Sequence, residues 1–596
     1  MITLNQSANA ATAVYKDGEL LEQNRSIRKK KTRSRALTTL HVLCIAFFAL
    51  FLTWGLEGKT PINGDDLRVI KRMALRPLNY KYDYLEWTRA RFHVIEIINA
   101  DYKLAGRSME KGNLIWLSIY VLSAFACYVY LRKVFSPAVA LTGAIVYLTY
   151  SSKYEPLTWW SAGAYTIIWL TFFGLLSLLE SKHTYRVKSA LIALVIWATM
   201  YVYEVFTVLA PLFSLLLLLR RKRETGRLLS KDWLFAALPT AVVLIHVVTL
   251  ATSRVPIFML DPATVNRIPI TERIAAGFTS AINNTMGPAH YSMVKQSSRA
   301  FKNFYQREEP ALPVLLWTSI LLTALALILS LRWSLAAEIN MTTVYEHAAI
   351  GMTALLVSAF IGFVSNYCNT PSRLTGVPSI GLMISICAGL ETALACVRRF
   401  KGWKKVSALF IACVLFSTVF AYSVKEAKAF TSFLRQAGEV HDVDLRLARK
   451  IKLLHPSVTK DEEIFVRTPR AAKEVAGRWT NFWSGFNSGR ANESLWYLYD
   501  VDPGYFRFTC TPDRCPGEDE RMQQIIEEWS KHAPNMVSPF YIDEKENVFA
   551  IETMELTDKE GRVLKSLDFS KRFVDVPREQ LVTQRIPILR LPPELN

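Results

Sequence analysis

The chain has 596 residues, of which 51% are hydrophobic and 20% charged, and it carries a formal net charge of +20; its mean hydropathy is +0.17. So apolar a balance over this length excludes a disordered chain and argues against a string of water-covered domains. Much of the positive charge flanks apolar runs, where it faces lipid headgroups, so nucleic acid is not the expected partner.

In chain order, residues 1–35 form a basic tail that ends in "RSIRKKKTRSR", Arg25 to Arg35. The first apolar run, 36–55, is too long for a cleaved leader and lacks a small-residue exit. It opens a series of about eleven runs suited to a hydrocarbon core of ~30 Å. They fall near 36–55, 114–134, 137–151, 159–180, 187–203, 205–220, 233–253, 312–332, 345–365, 374–396 and 405–422, the third and sixth being the shortest. The expected fold is therefore a polytopic α-helical membrane protein with about eleven transmembrane helices over 36–425 and a soluble α+β domain over 426–596.

Orientation follows from the cations. "RRKRETGR" (Arg220 to Arg227) and "RRFKGWKK" (Arg398 to Lys405) fall on the same side as the basic tail in this count. The positive-inside rule makes that side cytoplasmic. Loops 56–112 and 254–311 and the C-terminal domain are then expected outside, in a multi-pass inner or plasma membrane. Within loop 56–112, "DDLRVIKRMAL" and "YDYLEWTRARFHVIEIINADYKL" step their apolar residues as surface-lying amphipathic helices do, and loop 254–311 is similar.

The polar residues that stand out cluster at the exterior boundary. "PINGDDLRVIKRM" sets Asp65 and Asp66 just beyond the first span. One of them would serve as a helix cap, which leaves the other for chemistry. "YSSKYEPLTWWSAGAY" brings Lys153, Glu155, Trp159 and Trp160, "TMYVYEVF" brings Tyr203 and Glu204, and "NYCNTPSRLTGVP" brings Arg373. The tryptophans also suit an interfacial belt, Arg373 also suits snorkelling, and Glu204 also suits a loop. His246 and His347 are expected as satisfied polar groups of helices.

In the C-terminal region, "VHDVDLRLARKIKLL" predicts a helix, "EIFVRT" a strand, "DERMQQIIEEWSKH" a helix and "PFYIDEKENVFAIE" a hairpin. Cys510 and Cys515 bracket a Pro-containing turn and are disulfide candidates in an oxidising compartment. Cys44, Cys127, Cys387, Cys396 and Cys413 lie in apolar runs, and Cys368 beside one. The triplets beginning at Asn283 and Asn492 read as glycosylation acceptors only in a eukaryotic host.

This layout resembles the GT-C superfamily of membrane glycosyltransferases, and the bacterial polyprenyl-phosphate-sugar-dependent members most. The likeness rests on "GDDLRVIKR", "EPLTWWSAGAY", "YVYEVF" and "PSRLTGVP" and covers residues 36–425 in layout. It implies transfer of a sugar from a polyprenyl-phosphate donor to a glycan, lipid or protein acceptor on the exterior face. In that family a first-loop acidic residue activates the acceptor or binds metal, and the matching positions are Asp65 and Asp66. No cofactor is required in this reading; Mg or Mn, if used, would be held by those two carboxylates. Attack on the anomeric carbon in one displacement predicts inversion. Arg373, with Lys153 or Arg89 as alternatives, would face the leaving phosphate. Tyr82, Tyr84, Trp159 and Trp160 would pack on sugar or isoprenoid, with Glu204 and Glu155 beside them. No "WWDYG"-like signature of the oligosaccharyltransferases is present. The rival readings are a transporter or flippase of a lipid-linked or anionic substrate, an envelope-glycan polymerase or ligase, and a non-catalytic assembly protein.

Overall fold

The structure is a computed structural model. It describes residues 35–54, 92–105, 109–151, 163–200, 206–252, 285–307, 311–364, 376–441, 443–459, 462–467, 505–508, 537–543 and 547–595, with a few short pieces between. It divides into two units. The first falls within Met1–Trp54, Leu117–Tyr154 and Tyr165–Phe433, the second within Gly55–Trp116, Glu155–Ala164 and Leu434–Asn596.

In chain order the helices are α1 (Arg35–Thr53), α2 (Phe92–Ala105), α3 (Met109–Val134), α4 (Pro137–Thr149), α5 (Tyr165–Leu179), α6 (Tyr185–Met200), α7 (Phe206–Thr225), α8 (Ser230–Thr252), α9 (Pro288–Arg307), α10 (Ala311–Leu335), α11 (Met341–Val364), α12 (Gly376–Arg399), α13 (Gly402–His441) and α14 (Val443–Leu454). The strands are β1 (Glu463–Arg467), β2 (Tyr505–Phe508), β3 (Val537–Ile542), β4 (Val548–Thr557), β5 (Val563–Asp568) and β6 (Leu581–Pro587).

The expectation of eleven spans needs correcting. Among the described residues five helices are long and apolar enough to cross a membrane: α1, α3 from Lys111, α10, α12, and α13 as far as Arg435. Four of the others are too short or too charged. α4, α5 and α6 have 13, 15 and 16 residues, which at about 1.5 Å per residue falls short of a ~30 Å hydrocarbon layer. α7 has 20 residues but ends in "RRKRET", so its apolar stretch stops at Leu219. α8 and α11 have 23 and 24 residues and are apolar, so length and composition do not set them apart from the five. The long α13 exposes Trp403, Val406, Phe410 and Ile411, and only 22% of its apolar window is buried within the protein. Lipid is the solvent such a face suits.

Close helix contacts order the first unit. A Cβ on Gly381 of α12 would lie 2.3 Å from the Gly351 carbonyl oxygen of α11, so the two backbones meet with no side chain between them. A Cβ on Gly143 of α4 would lie 2.4 Å from Cys387 Sγ of α12. α4 starts with Pro at its first turn. Two of its free N–H groups are then satisfied from outside: Ser136 N donates to Glu391 Oε2 (2.9 Å) and Ala138 N to Ser334 Oγ (2.9 Å). Arg398 pairs with the other Glu391 oxygen at 2.6 Å.

In the second unit, α14 buries Leu447, Ala448 and Ile451 on one face, the spacing its sequence predicts. The sheet is mixed, in the order β2-β1-β3-β4-β5, with β6 also on β4. β1 runs parallel to β2 and β3, while β3–β4 is the hairpin expected from its alternation. Asn547 N donates to Asp543 Oδ1 (2.8 Å) at the hairpin's neck. The expected helix in "DERMQQIIEEWSKH" falls mostly outside the described residues.

Candidate functional site

Within the first unit, charge is distributed by end. α3 closes with Arg132 and Lys133, α7 with Lys222 and Arg223 in its last turn, α10 with Arg332, and α12 with Arg398 and Arg399. Ion-pair networks knit this end. Arg220 joins Glu180 (2.6 Å) and Glu346 (2.9 Å), and His347 lies between Glu180 (2.6 Å) and the Tyr130 hydroxyl (2.7 Å). His347 is thus a satisfied helix polar group, as the sequence reading expects.

The opposite end carries a different cluster. α4 leaves the Glu391–Arg398 pair at Ser136 and finishes just before Ser151. α13 leaves the basic end at Gly402, and Glu426 follows about 36 Å further along its axis. There the buried Glu426 carboxylate collects three donors. Oε2 accepts from Ser151 N (3.0 Å) and from the Ser151 hydroxyl. Oε1 lies 2.6 Å from His290 Nε2, with both side chains no more than 2% exposed. His290 stacks on Tyr150 with centroids 5.0 Å apart and planes at 18°, and the Tyr150 hydroxyl donates to the Thr285 carbonyl. On the rim, the Lys425 ammonium sits 4.5 Å over the Tyr291 ring.

α9 delivers His290 because it is amphipathic: His290, Val294, Ser297 and Phe301 are buried at helical spacing, whereas Tyr291, Lys295 and Arg299 face out. Phe301 seats that face on Phe51 of α1, 5.9 Å between centroids.

The chemistry differs from a nucleophile relay. In such a relay the serine donates to the histidine; here serine and histidine both donate to one carboxylate, and Ser151 is fully buried. The cluster is therefore a fastening. It fixes the last residue of the α4 end, two and four positions ahead of Lys153 and Glu155 in sequence. A carboxylate taken out of water is tolerable only with such a full set of partners.

A second polar cluster lies in the sheet unit. Glu462 takes donors from His455 Nε2 (2.6 Å), Arg572 Nη1 (3.1 Å), Thr459 N (3.3 Å) and the Ser538 hydroxyl. Burial pushes its carboxyl up, but these donors, His455 foremost, outweigh burial and hold it below the usual glutamate value. Ser538 is fully buried here too, so this cluster pins α14 to the sheet.

Asp65, Asp66, Tyr82, Tyr84, Arg89, Lys153, Glu155, Trp159, Trp160, Tyr203, Glu204, Arg373, Cys510 and Cys515 lie outside the described residues. Sequence reasoning missed Ser151, His290 and Glu426. The one available signal is an acid in "SVKEAKAF", just past an apolar run otherwise followed by lysines. Among the described residues no group of three or more His, Cys, Asp or Glu side chains is placed to hold a metal ion. Comparison with models of known protein families gives no match, and comparison with curated proteins gives none.

Proposed function

We propose that the chain is a membrane glycosyltransferase of the GT-C kind. It takes a sugar from a polyprenyl-phosphate donor and passes it to an envelope glycan, lipid or protein acceptor at the face opposite its basic clusters. By the positive-inside rule that face is the exterior one. The observation that carries the reading is the polarity of the first unit. Its cations gather at one end, and at the other Glu426 and His290 fasten the chain just ahead of Lys153 and Glu155.

The chemistry has to occur where a lipid headgroup meets water, because the polyprenyl chain keeps the donor in the bilayer. Asp65 or Asp66 takes the acceptor hydroxyl proton as attack begins. Arg373, or Lys153 or Arg89, stabilises the departing polyprenyl phosphate. A single displacement inverts the anomeric centre.

The test uses purified protein, radiolabelled polyprenyl-phosphate monosaccharides and host envelope extract. Wild type is compared with Asp65→Asn and Asp66→Asn, with folding followed by thermal melt. Transfer that disappears in a well-folded variant is the expected result. Transfer undiminished in both variants returns the aspartates to helix capping, and absence of transfer from every donor defeats the glycosyltransferase reading.

A further inference from the structure

At the basic end of the first unit, away from the candidate site, a small cavity opens between α5, α6 and α7. Its polar wall is His183, Tyr185, Lys188, Arg220 and Glu224, and Leu179 and Leu217 line its apolar side. Two cations converge in it. Lys188 Nζ (3.3 Å) and Arg220 Nη1 (3.1 Å) donate to the same acceptor, the Leu179 carbonyl at the C-terminus of α5.

The two cations differ in how their charge is met. Arg220 is balanced by Glu180 and Glu346. Lys188 is partly buried, yet among the described residues no carboxylate lies within ion-pair distance of its ammonium, and the Leu179 carbonyl is neutral. Glu180 is committed to Arg220 and His347. Glu224 is 60% exposed and reaches Arg221 only at 4.0 Å. An ammonium held next to a guanidinium is repelled by it; Glu224 and Glu180 attract Lys188 only from beyond ion-pair distance, and an anion in the cavity would supply the close partner it lacks. The cavity also adjoins the first turn of α6, whose dipole favours negative charge. The Tyr185 wall is rigid: its hydroxyl donates to the Asp232 carbonyl (2.6 Å), and the Arg221 guanidinium lies 5.4 Å from its ring centroid.

We propose that this cavity binds the phosphate group of an anionic lipid headgroup. Free phosphate shares the charge but not the surroundings. Leu179 and Leu217 adjoin the cations, and Val187 and Leu219 nearby in sequence are exposed apolar side chains on α6 and α7, suited to the acyl region beneath a headgroup. The proposal does not depend on the glycosyltransferase reading.

The experiment uses the full chain in phosphatidylcholine nanodiscs at low salt. Short-chain phosphatidylglycerol is titrated in one arm and inorganic phosphate in another, with lipid retention followed by native mass spectrometry. Wild type is compared with Lys188→Gln, the charge-keeping Lys188→Arg, and Lys182→Gln as an exposed basic control outside the cavity wall. The expected result is phosphatidylglycerol affinity about fivefold weaker in Lys188→Gln, restored in Lys188→Arg and unchanged in Lys182→Gln. Equal affinity in Lys188→Gln and wild type overturns the site. Inorganic phosphate binding as tightly as the lipid overturns the lipid assignment.

Discussion

Replacing Glu426 by Gln tests whether the Glu426 cluster is one cooperative fastening. Gln keeps the shape and one oxygen. Its amide group then confronts either the donors of Ser151 or His290 Nε2, all of which now point at a single carboxylate. One buried donor loses its acceptor, at about 1–3 kcal/mol, and the buried carboxylate–imidazole pair is broken, a change that costs about 3–5 kcal/mol when one partner is removed. These overlap, so the net expectation is a loss of about 3 kcal/mol or more. His290→Gln should cost a similar amount, because it strands the carboxylate. The double variant should cost about 0.5–3 kcal/mol less than the sum, the range found for residues in contact. Reversible denaturant titration in micelles, monitored by tryptophan fluorescence, reads all three values from midpoints at constant slope. Single-variant losses below ~1 kcal/mol, or strict additivity, would show that His290 and Glu426 are neighbours without coupling.

Two further outcomes follow from the packing and the charges. Gly381→Leu must push α11 and α12 apart, since its Cβ would meet backbone at Gly351 and Leu355, at 2.3 and 2.5 Å. A stability loss of at least ~1–3 kcal/mol is expected, whereas Gly389→Ala on the same helix, with nothing within 4 Å, should be neutral or stabilising; equal melts for the two would refute the close contact. In the sheet unit, the folded-state carboxyl of Glu462 lies below its unfolded value of 4.5. Its contribution to stability is therefore complete above that value and is lost as pH falls through the folded value. Stability of wild type should drop there with a slope larger than that of Glu462→Gln by up to ~1.4 kcal/mol per pH unit, and parallel slopes would remove Glu462 from the account.

Much of the architecture is legible in the chain. The apolar runs that became α1, α3, α10, α12 and α13 are long and unbroken, and the β3–β4 hairpin declares itself by alternation around a polar neck. What misleads is that hydropathy counts apolar residues without seeing where a helix stops. The run near 137–151 looks like a short span, but α4 ends at Thr149 after 13 residues, because Ser151 leaves the helix ladder to bind Glu426. The run near 205–220 likewise borrows length from a helix whose last turns are guanidinium and ammonium groups. Of the Glu426 cluster almost nothing is legible. Glu426 meets partners 136 and 275 positions away, and neither distance leaves a local pattern. Residue type alone points to loop acids and aromatics at that boundary rather than to a buried glutamate.

The sheet unit has an order of assembly written into its pairing. β3, β4 and β5 form a local antiparallel meander, whereas β1 runs parallel to β3 and β6 parallel to β4. A parallel partner cannot be joined by a tight turn, so such contacts form late. β1, with four of its five residues buried in the finished sheet, emerges from synthesis well before β3 exists to receive it. Until β2 is made both of its sides are unpaired, and until β3 follows one side is still on offer to any neighbour. The vulnerable moment for this unit is thus in its biogenesis, and slowing translation between residues 467 and 537 should raise aggregation more than the same delay placed after residue 587.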